Sequence, residues 1–170
     1  MTRPAMSFKA ASALAACVAL AGVAAATAQL TGSEAPDFVL KSVSGENLRL
    51  SEYRGDVVML SFWATWCGDC RAQLARLGEM HTRYQDAGVE LLAVSLDQNQ
   101  KQAQDAAASV GMSYPVLHDA GGEVGRVYDV SKVPVMVLID RGGVVREVFE
   151  GYRRGDEEQY LERLQALLRE

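Results

Sequence analysis

Two nearly unbroken apolar runs mark the centre of a predicted sheet. They span Val57–Trp63 and Val89–Ser95, and runs of this kind are typical of strands buried on both faces. Between them, apolar residues recur every three to four positions over residues 68–87, which predicts an amphipathic helix that Gly88 ends. Together the three segments predict a β-α-β unit.

Weaker patterns flank this unit on both sides. They predict a β-hairpin at 37–50, a Gln- and Ala-rich helix at 99–110, a short strand at 114–117, a short helix at 123–128, a second hairpin formed by 135–140 and 144–149, and a closing amphipathic helix. The order of elements predicts an α/β fold in which helices flank a central mixed β-sheet.

The N-terminal segment has the pattern of an export signal. Arg3 and Lys9 precede an uncharged, Ala-rich stretch over residues 10–28, and small residues at 26 and 28 fit a signal-peptidase site. We therefore predict a signal peptide at 1–28, a single domain at 29–170 and a periplasmic or otherwise exported location. A lipoprotein anchor at Cys17 is left open, because the residues before it resemble a lipobox but the apolar run continues beyond it.

Length and charge narrow the class of protein. The predicted domain has about 140 residues, the commonest size for one hydrophobic core. The full chain has a formal net charge of −5, and the predicted leader holds basic but no acidic residues, so the remaining domain is more acidic still. Such a protein has no general attraction for nucleic acid or anionic lipid. We expect a monomer without a nucleic-acid partner.

The two cysteines outside the leader, Cys67 and Cys70, point to chemistry rather than to stability. A disulfide between them closes so small a loop that it removes little entropy from the unfolded chain. A zinc site would need a second Cys or His pair, and neither His81 nor His118 lies at ligand spacing from the cysteines. We interpret His81 as an ordinary helix residue and His118 as a strand-end residue.

The cysteines are predicted to differ in role. Cys67 should lie at a helix N-terminus, where unpaired backbone N–H groups and the helix dipole favour the attacking thiolate. Cys70, one helical turn along, should be more buried and should resolve the mixed disulfide. Trp66 is expected at the rim of the site, and Trp63 in the core.

At this point the chain resembles the thioredoxin superfamily, and within it the exported TlpA/ResA-like reductases. The resemblance covers the predicted domain and rests on APDF at 35–38, FWATWCGDC at 62–70, YPVL at 114–117, and VP at 133–134 ahead of an apolar strand that ends with LID at 138–140. It implies a thioredoxin fold with an N-terminal β-hairpin and a TlpA-type β/α insertion at 99–117.

The resemblance also implies roles for single residues. Pro134 matches the family's cis-proline, which lies against the active-site disulfide, and the alternative is an ordinary trans-proline entering a strand. The backbone of Val133 would hydrogen-bond an extended substrate segment beside Cys67. Trp66 and Gly68 are the other expected substrate contacts.

The chain departs from the family at three positions. Many relatives carry a buried acid six residues before the first cysteine or three after the second, but here those residues are Ser61 and Gln73. The proton of Cys70 must then pass to water or to a carboxylate elsewhere. Asp69 stands where relatives most often have proline. We hypothesise that its charge opposes the Cys67 thiolate, makes the couple more reducing and accepts the Cys70 proton; the alternative is a simple first-turn acid.

These features predict a thiol–disulfide oxidoreductase. The expected reaction reduces disulfides of exported clients, for example in cytochrome c maturation or copper-centre assembly, with electrons from a membrane thiol donor of the DsbD or CcdA type. No cofactor beyond the redox-active disulfide is expected. Oxidation or isomerisation would use the same atoms, so the direction is open. The alternatives are a copper-binding metallochaperone that uses both thiolates, and a peroxidase, whose reactive cysteine needs Pro and Thr neighbours that this motif lacks.

Overall fold

The computed structural model describes residues 30–170. Within them the strands are β1 Val39–Ser42, β2 Asn47–Arg49, β3 Val57–Trp63, β4 Val89–Ser95, β5 Val116–His118, β6 Val135–Ile139 and β7 Val145–Glu150, and the helices are α1 Cys70–Tyr84, α2 Gln100–Ser109, α3 Glu123–Val127 and α4 Asp156–Leu168. The predicted signal peptide and Cys17 lie outside the described residues. None of the described helices is long and apolar enough to span a bilayer.

All seven strands join one mixed sheet in the order β2-β1-β5-β4-β3-β6-β7. Strand β3 pairs in parallel with β4 and antiparallel with β6, and α1, α2 and α4 pack against the sheet. This architecture confirms the predicted thioredoxin-like α/β fold. At its outer end, β1 pairs antiparallel with both β2 and β5.

The register of β3 decides which residues meet at the site. Trp63 at its end pairs with Ser95 of β4, and Phe62 pairs with Val135 of β6. Because β6 runs antiparallel to β3, its first residues lie at the edge where β3 ends. Pro134 and the cysteine motif, far apart in sequence, therefore lie at the same edge of the sheet.

Strong apolar patterns fix the central elements. Every residue of β3 is buried, as expected for a strand covered on both faces. On α1, Leu74, Leu77 and Met80 form a buried stripe at helical spacing. The helix is shorter than the predicted 68–87, because it begins at Cys70 and passes after Tyr84 into a 3-10 turn.

The insertion between β4 and β6 differs in detail from its prediction. Helix α2 turns Ala103 and Ala107 inward, and β5 begins at Val116 instead of residue 114. Pro115 has no N–H for the ladder, and the Tyr114 hydroxyl donates to the Leu74 carbonyl of α1 at 3.1 Å. Tyr114 therefore ties the insertion to the helix that follows the cysteines.

Candidate active site

Cys67 and Cys70 form a disulfide between the end of β3 and the start of α1. Their Sγ atoms are 2.06 Å apart and their Cα atoms 5.4 Å apart. Cys70 is 1% exposed, whereas Cys67 is only partly buried. The prediction that Cys70 is the more buried sulfur is confirmed, and a partner thiol or disulfide can approach Cys67 alone.

The start of α1 corrects one expectation about Cys67. The helix begins at Cys70 with Asp69 as its N-cap, so Cys67 precedes the helix because Gly68 and Asp69 form a turn. The N–H of Cys70 nevertheless donates to the Cys67 Sγ at 3.1 Å. This is one of the amides that a helix leaves unpaired at its N-terminus, so the first sulfur has one such N–H as a hydrogen-bond donor although it lies before the helix.

A buried carboxylate that sequence reasoning missed holds the loop before Cys67. Asp97 accepts hydrogen bonds from the Thr65 N–H at 3.1 Å and from the Thr65 hydroxyl at 2.7 Å. Its other oxygen accepts from the Ser95 hydroxyl at 2.8 Å. The signal was available only through the register: Trp63 pairs with Ser95, so the residues two places further along each chain face one another.

The two positions where relatives carry an acid are joined by a neutral hydrogen-bonded chain. The Ser61 hydroxyl donates to the Gln73 Oε1 at 3.3 Å, and the Gln73 Nε2 donates to the Tyr160 hydroxyl at 3.1 Å. All three residues are buried. Burial raises the pKa of Tyr160 to about 12, so its phenol stays protonated at neutral pH. These three neutral side chains therefore provide no base for Cys70.

The remaining predicted site residues lie at the same edge of the sheet as the disulfide. The Val133–Pro134 peptide is cis, as the resemblance implied, and the Gly151 N–H donates to the Pro134 carbonyl at 2.7 Å. Trp66 is 71% exposed, in keeping with a place at the rim. Gly68 and Asp69 are also exposed, and the Asp69 side chain makes no capping hydrogen bond to α1.

An open cavity of about 270 Å³ lies beside Cys67. Its walls come from the active-site loop, from the first turn of α1 and from the end of α2, and they include Trp63, Thr65, Gly68, Arg71, Val110 and Met112. Trp63, Val110 and Met112 make much of the wall apolar, and the exposed Arg71 adds a cation. The cavity gives a client segment room to lie against the first sulfur.

Metal chemistry receives no support from the described residues. Within 30–170, no group of three or more His, Cys, Asp or Glu side chains is placed to hold an ion. His81 lies on α1 against the Tyr114 ring, and His118 ends β5 with its Nε2 2.7 Å from the Asp97 carbonyl. Among these four residue types, the described part of the chain therefore offers copper no third ligand beside the two thiolates.

Comparisons with known proteins agree with this geometry. The profile of the AhpC/TSA family matches residues 31–148, which include both cysteines and Pro134. The chain is similar to the thiol-disulfide oxidoreductases ResA of Geobacillus kaustophilus and Geobacillus thermodenitrificans, each 37% identical over 137 residues that cover 80% of this chain and 79% of the relative. A crystal structure from Chlorobium tepidum, provisionally named thiol:disulfide interchange protein DsbE, is similar with a TM-score of 0.78 and 36% identity, covering 81% of this chain and 97% of that chain.

Proposed function

The chain belongs to the AhpC/TSA family and is a thiol–disulfide oxidoreductase, and from that premise we propose that it reduces disulfides in exported client proteins. The observation that carries the proposal is the asymmetry of the pair: Cys67 is accessible and Cys70 is buried behind it. Clients in cytochrome c maturation or copper-centre assembly fit this chemistry, because both processes need cysteines in the thiol form.

The reaction proceeds by two exchanges between sulfurs. The Cys67 thiolate attacks one sulfur of the client disulfide, forms a mixed disulfide and displaces the other client sulfur as a thiolate. Cys70 then loses its proton and attacks the Cys67 Sγ, which closes the Cys67–Cys70 disulfide and releases the second client thiolate. Two electrons pass to the client, and the two protons given up by the cysteine thiols are balanced by those the client thiolates take up. No cofactor takes part.

Location and partners follow from the same chemistry. The export signal at 1–28 would carry the domain at 29–170 into a compartment where disulfides persist. There the oxidised pair needs a source of electrons at the membrane, such as a thiol donor of the DsbD or CcdA type. A monomer suits both encounters, because Cys67 must face the donor and the client in turn.

The reduction potential of the protein tests the direction of electron flow. We expect a value near that of thioredoxin, about −270 mV, together with catalysed reduction of insulin disulfides. A potential near that of strong oxidants, about −120 mV, would contradict the reductive direction while leaving the exchange chemistry intact. Stoichiometric retention of copper without insulin reduction would favour the metallochaperone instead.

Replacing Asp69 with asparagine tests whether its charge contributes to that potential. The Asp69 side chain makes no capping hydrogen bond, so Asp69→Asn removes the charge with little effect on α1. We expect the Cys67 thiolate to become easier to form by no more than about threefold, because water screens the exposed carboxylate. The measurements are the potential and the rate of client reduction. If neither changes, Asp69 has no tuning role.

A further inference from the structure

Asp97 is a carboxylate buried beneath the active-site loop without a cation beside it. Its side chain is 2% exposed, and none of the ion pairs found among residues 30–170 includes it. A buried charge normally requires a partner of opposite charge or several hydrogen-bond donors. Only the second of these conditions is met at Asp97, as it also is at Asp119, whose carboxylate accepts from the N–H groups of Glu123 and Gly125.

The hydrogen bonds around Asp97 suit an ionised carboxylate. The Thr65 N–H can only donate, and it lies 3.1 Å from both carboxylate oxygens. The Asp97 N–H donates to the Ser95 Oγ at 3.1 Å, which leaves the Ser95 hydroxyl hydrogen directed at the Asp97 Oδ2. Donors that converge on one carboxylate form charge-assisted hydrogen bonds. The arrangement therefore holds a negative charge in place.

The residue that Asp97 binds, Thr65, is close in sequence to the reactive cysteine. Thr65 is two residues before Cys67, a separation of about 7 Å along an extended chain at most. The Cys67 N–H donates to the Ala64 carbonyl at 3.2 Å, so the intervening loop is a closed turn. Because Asp97 is buried, its field is screened less than that of the exposed Asp69.

We propose that Asp97 is a positioning residue for electron donation: it pins the turn that presents Cys67, and its charge opposes accumulation of the Cys67 thiolate. The proposal rests on the reductive function proposed above and deepens it. A thiolate that forms less readily makes the reduced protein less stable and the dithiol a better electron donor. From the sequence motif alone, Asp69 would be the residue that opposes the thiolate. Because Asp97 is buried and its charge is less screened, we expect Asp97 to have the larger effect.

Charged groups other than Asp97 also influence the Cys67 thiolate. Arg71 of α1 lines the cavity next to the sulfur and favours the thiolate, whereas Asp69 opposes it. His118 contacts the Asp97 backbone carbonyl and not its carboxylate. Lys132 and Asp129 precede the cis-proline on the β6 side. The charge on Asp97 is the only one of these held by a buried side chain in the described residues.

The test compares Asp97→Asn with a variant that keeps the charge. Asp97→Asn should lower the pKa of the Cys67 thiol by about one unit, which gives about ten times more thiolate below that pKa. Above it, where the thiolate is the main reduced species, the reduced protein should be about tenfold more stable, and the potential about 30 mV less reducing. The measurements are the pH dependence of Cys67 alkylation in the reduced protein and the potential against glutathione. Thr65→Val removes the hydroxyl donor and retains the carboxylate, so its potential should stay within about 10 mV of wild type.

The outcomes separate the effect of the Asp97 charge from the effect of its hydrogen bonds to the loop. If folded Asp97→Asn keeps the wild-type alkylation profile and potential, or if Thr65→Val shifts the potential equally, the proposal is overturned. Should Asp97→Asn fail to fold, Asp97→Ser gives a second neutral variant, and Thr65→Ser restores the hydroxyl as a conservative control. Alkylation needs no client, so a failure to reduce client proteins would count against the proposed function and leave this measurement standing.

Discussion

Cys70→Ser is expected to hold the protein in a covalent complex with its client, whereas Cys67→Ser is expected to remove the reaction. Cys67 is the accessible sulfur, so it still attacks a client disulfide when Cys70 is absent. Without the buried Cys70 nothing resolves the mixed disulfide. We expect turnover to fall by about a thousandfold or more in either variant. Only Cys70→Ser should accumulate the mixed disulfide, seen as a band on a non-reducing gel that disappears when reductant is added.

The double variant Cys67→Ser/Cys70→Ser is the matched control for this trap. It retains the approximate size of both side chains and should form no adduct with any client. Serine at either position closely matches the size of cysteine, so thermal unfolding of the single variants should resemble that of the reduced wild type. Adducts formed by Cys67→Ser in place of Cys70→Ser would reverse the two roles and contradict the assignment.

The sequence was most informative where hydrophobic patterns are long and unbroken. Strands β3 and β4 occupy the residues that their apolar runs predicted, because a strand buried on both faces tolerates few polar residues. The start of α1 was predicted two residues too early. Gly68 and Asp69 are compatible with a first helical turn, and only the structure shows that they form the loop that presents Cys67.

Contacts between distant residues could not be predicted from the sequence. Thr65 and Asp97 are 32 residues apart, and Gln73 and Tyr160 are 87 apart. Finding the first pair requires the register between two parallel strands, and finding the second requires the packing of α4 on α1. Residue type alone made Asp69 the candidate for tuning, since it lies within the motif. Burial, which decides how strongly a charge acts, was not available.

The hydrogen-bonded side chains of Ser61, Gln73 and Tyr160 explain how the fold accommodates neutral residues at the positions where relatives carry an acid. Ser61 and Tyr160 occupy both ends of the Gln73 amide, so the buried polar atoms on this side of Cys70 are paired without any charge. The proton of Cys70 must therefore pass to water or to a carboxylate outside this group, such as Asp69. Restoring an acid at residue 73 changes both the stability of the fold and the chemistry of the second exchange.

Gln73→Glu is expected to make stability depend strongly on pH. Residue 73 is fully buried, so desolvation should raise the pKa of the new carboxyl above its unfolded value of about 4.3. Below that pH the protonated acid resembles glutamine, and the variant should unfold within about 1 kcal/mol of wild type. As pH rises towards the folded pKa, the unfolded state binds fewer protons, and the deficit grows by up to about 1.4 kcal/mol per pH unit.

Urea unfolding of the oxidised wild type and Gln73→Glu at pH 4, 6 and 8 measures this difference. The deficit at pH 8 should reach about 3 kcal/mol, the size expected for an uncompensated buried charge. Gln73→Leu is the control: it leaves Ser61 and Tyr160 unpaired, so its deficit of about 1–3 kcal/mol should not change with pH. A pH-independent deficit in Gln73→Glu would mean that water reaches the site.

In the reduced protein, the same carboxylate should accept the Cys70 proton and speed release of the client near neutral pH.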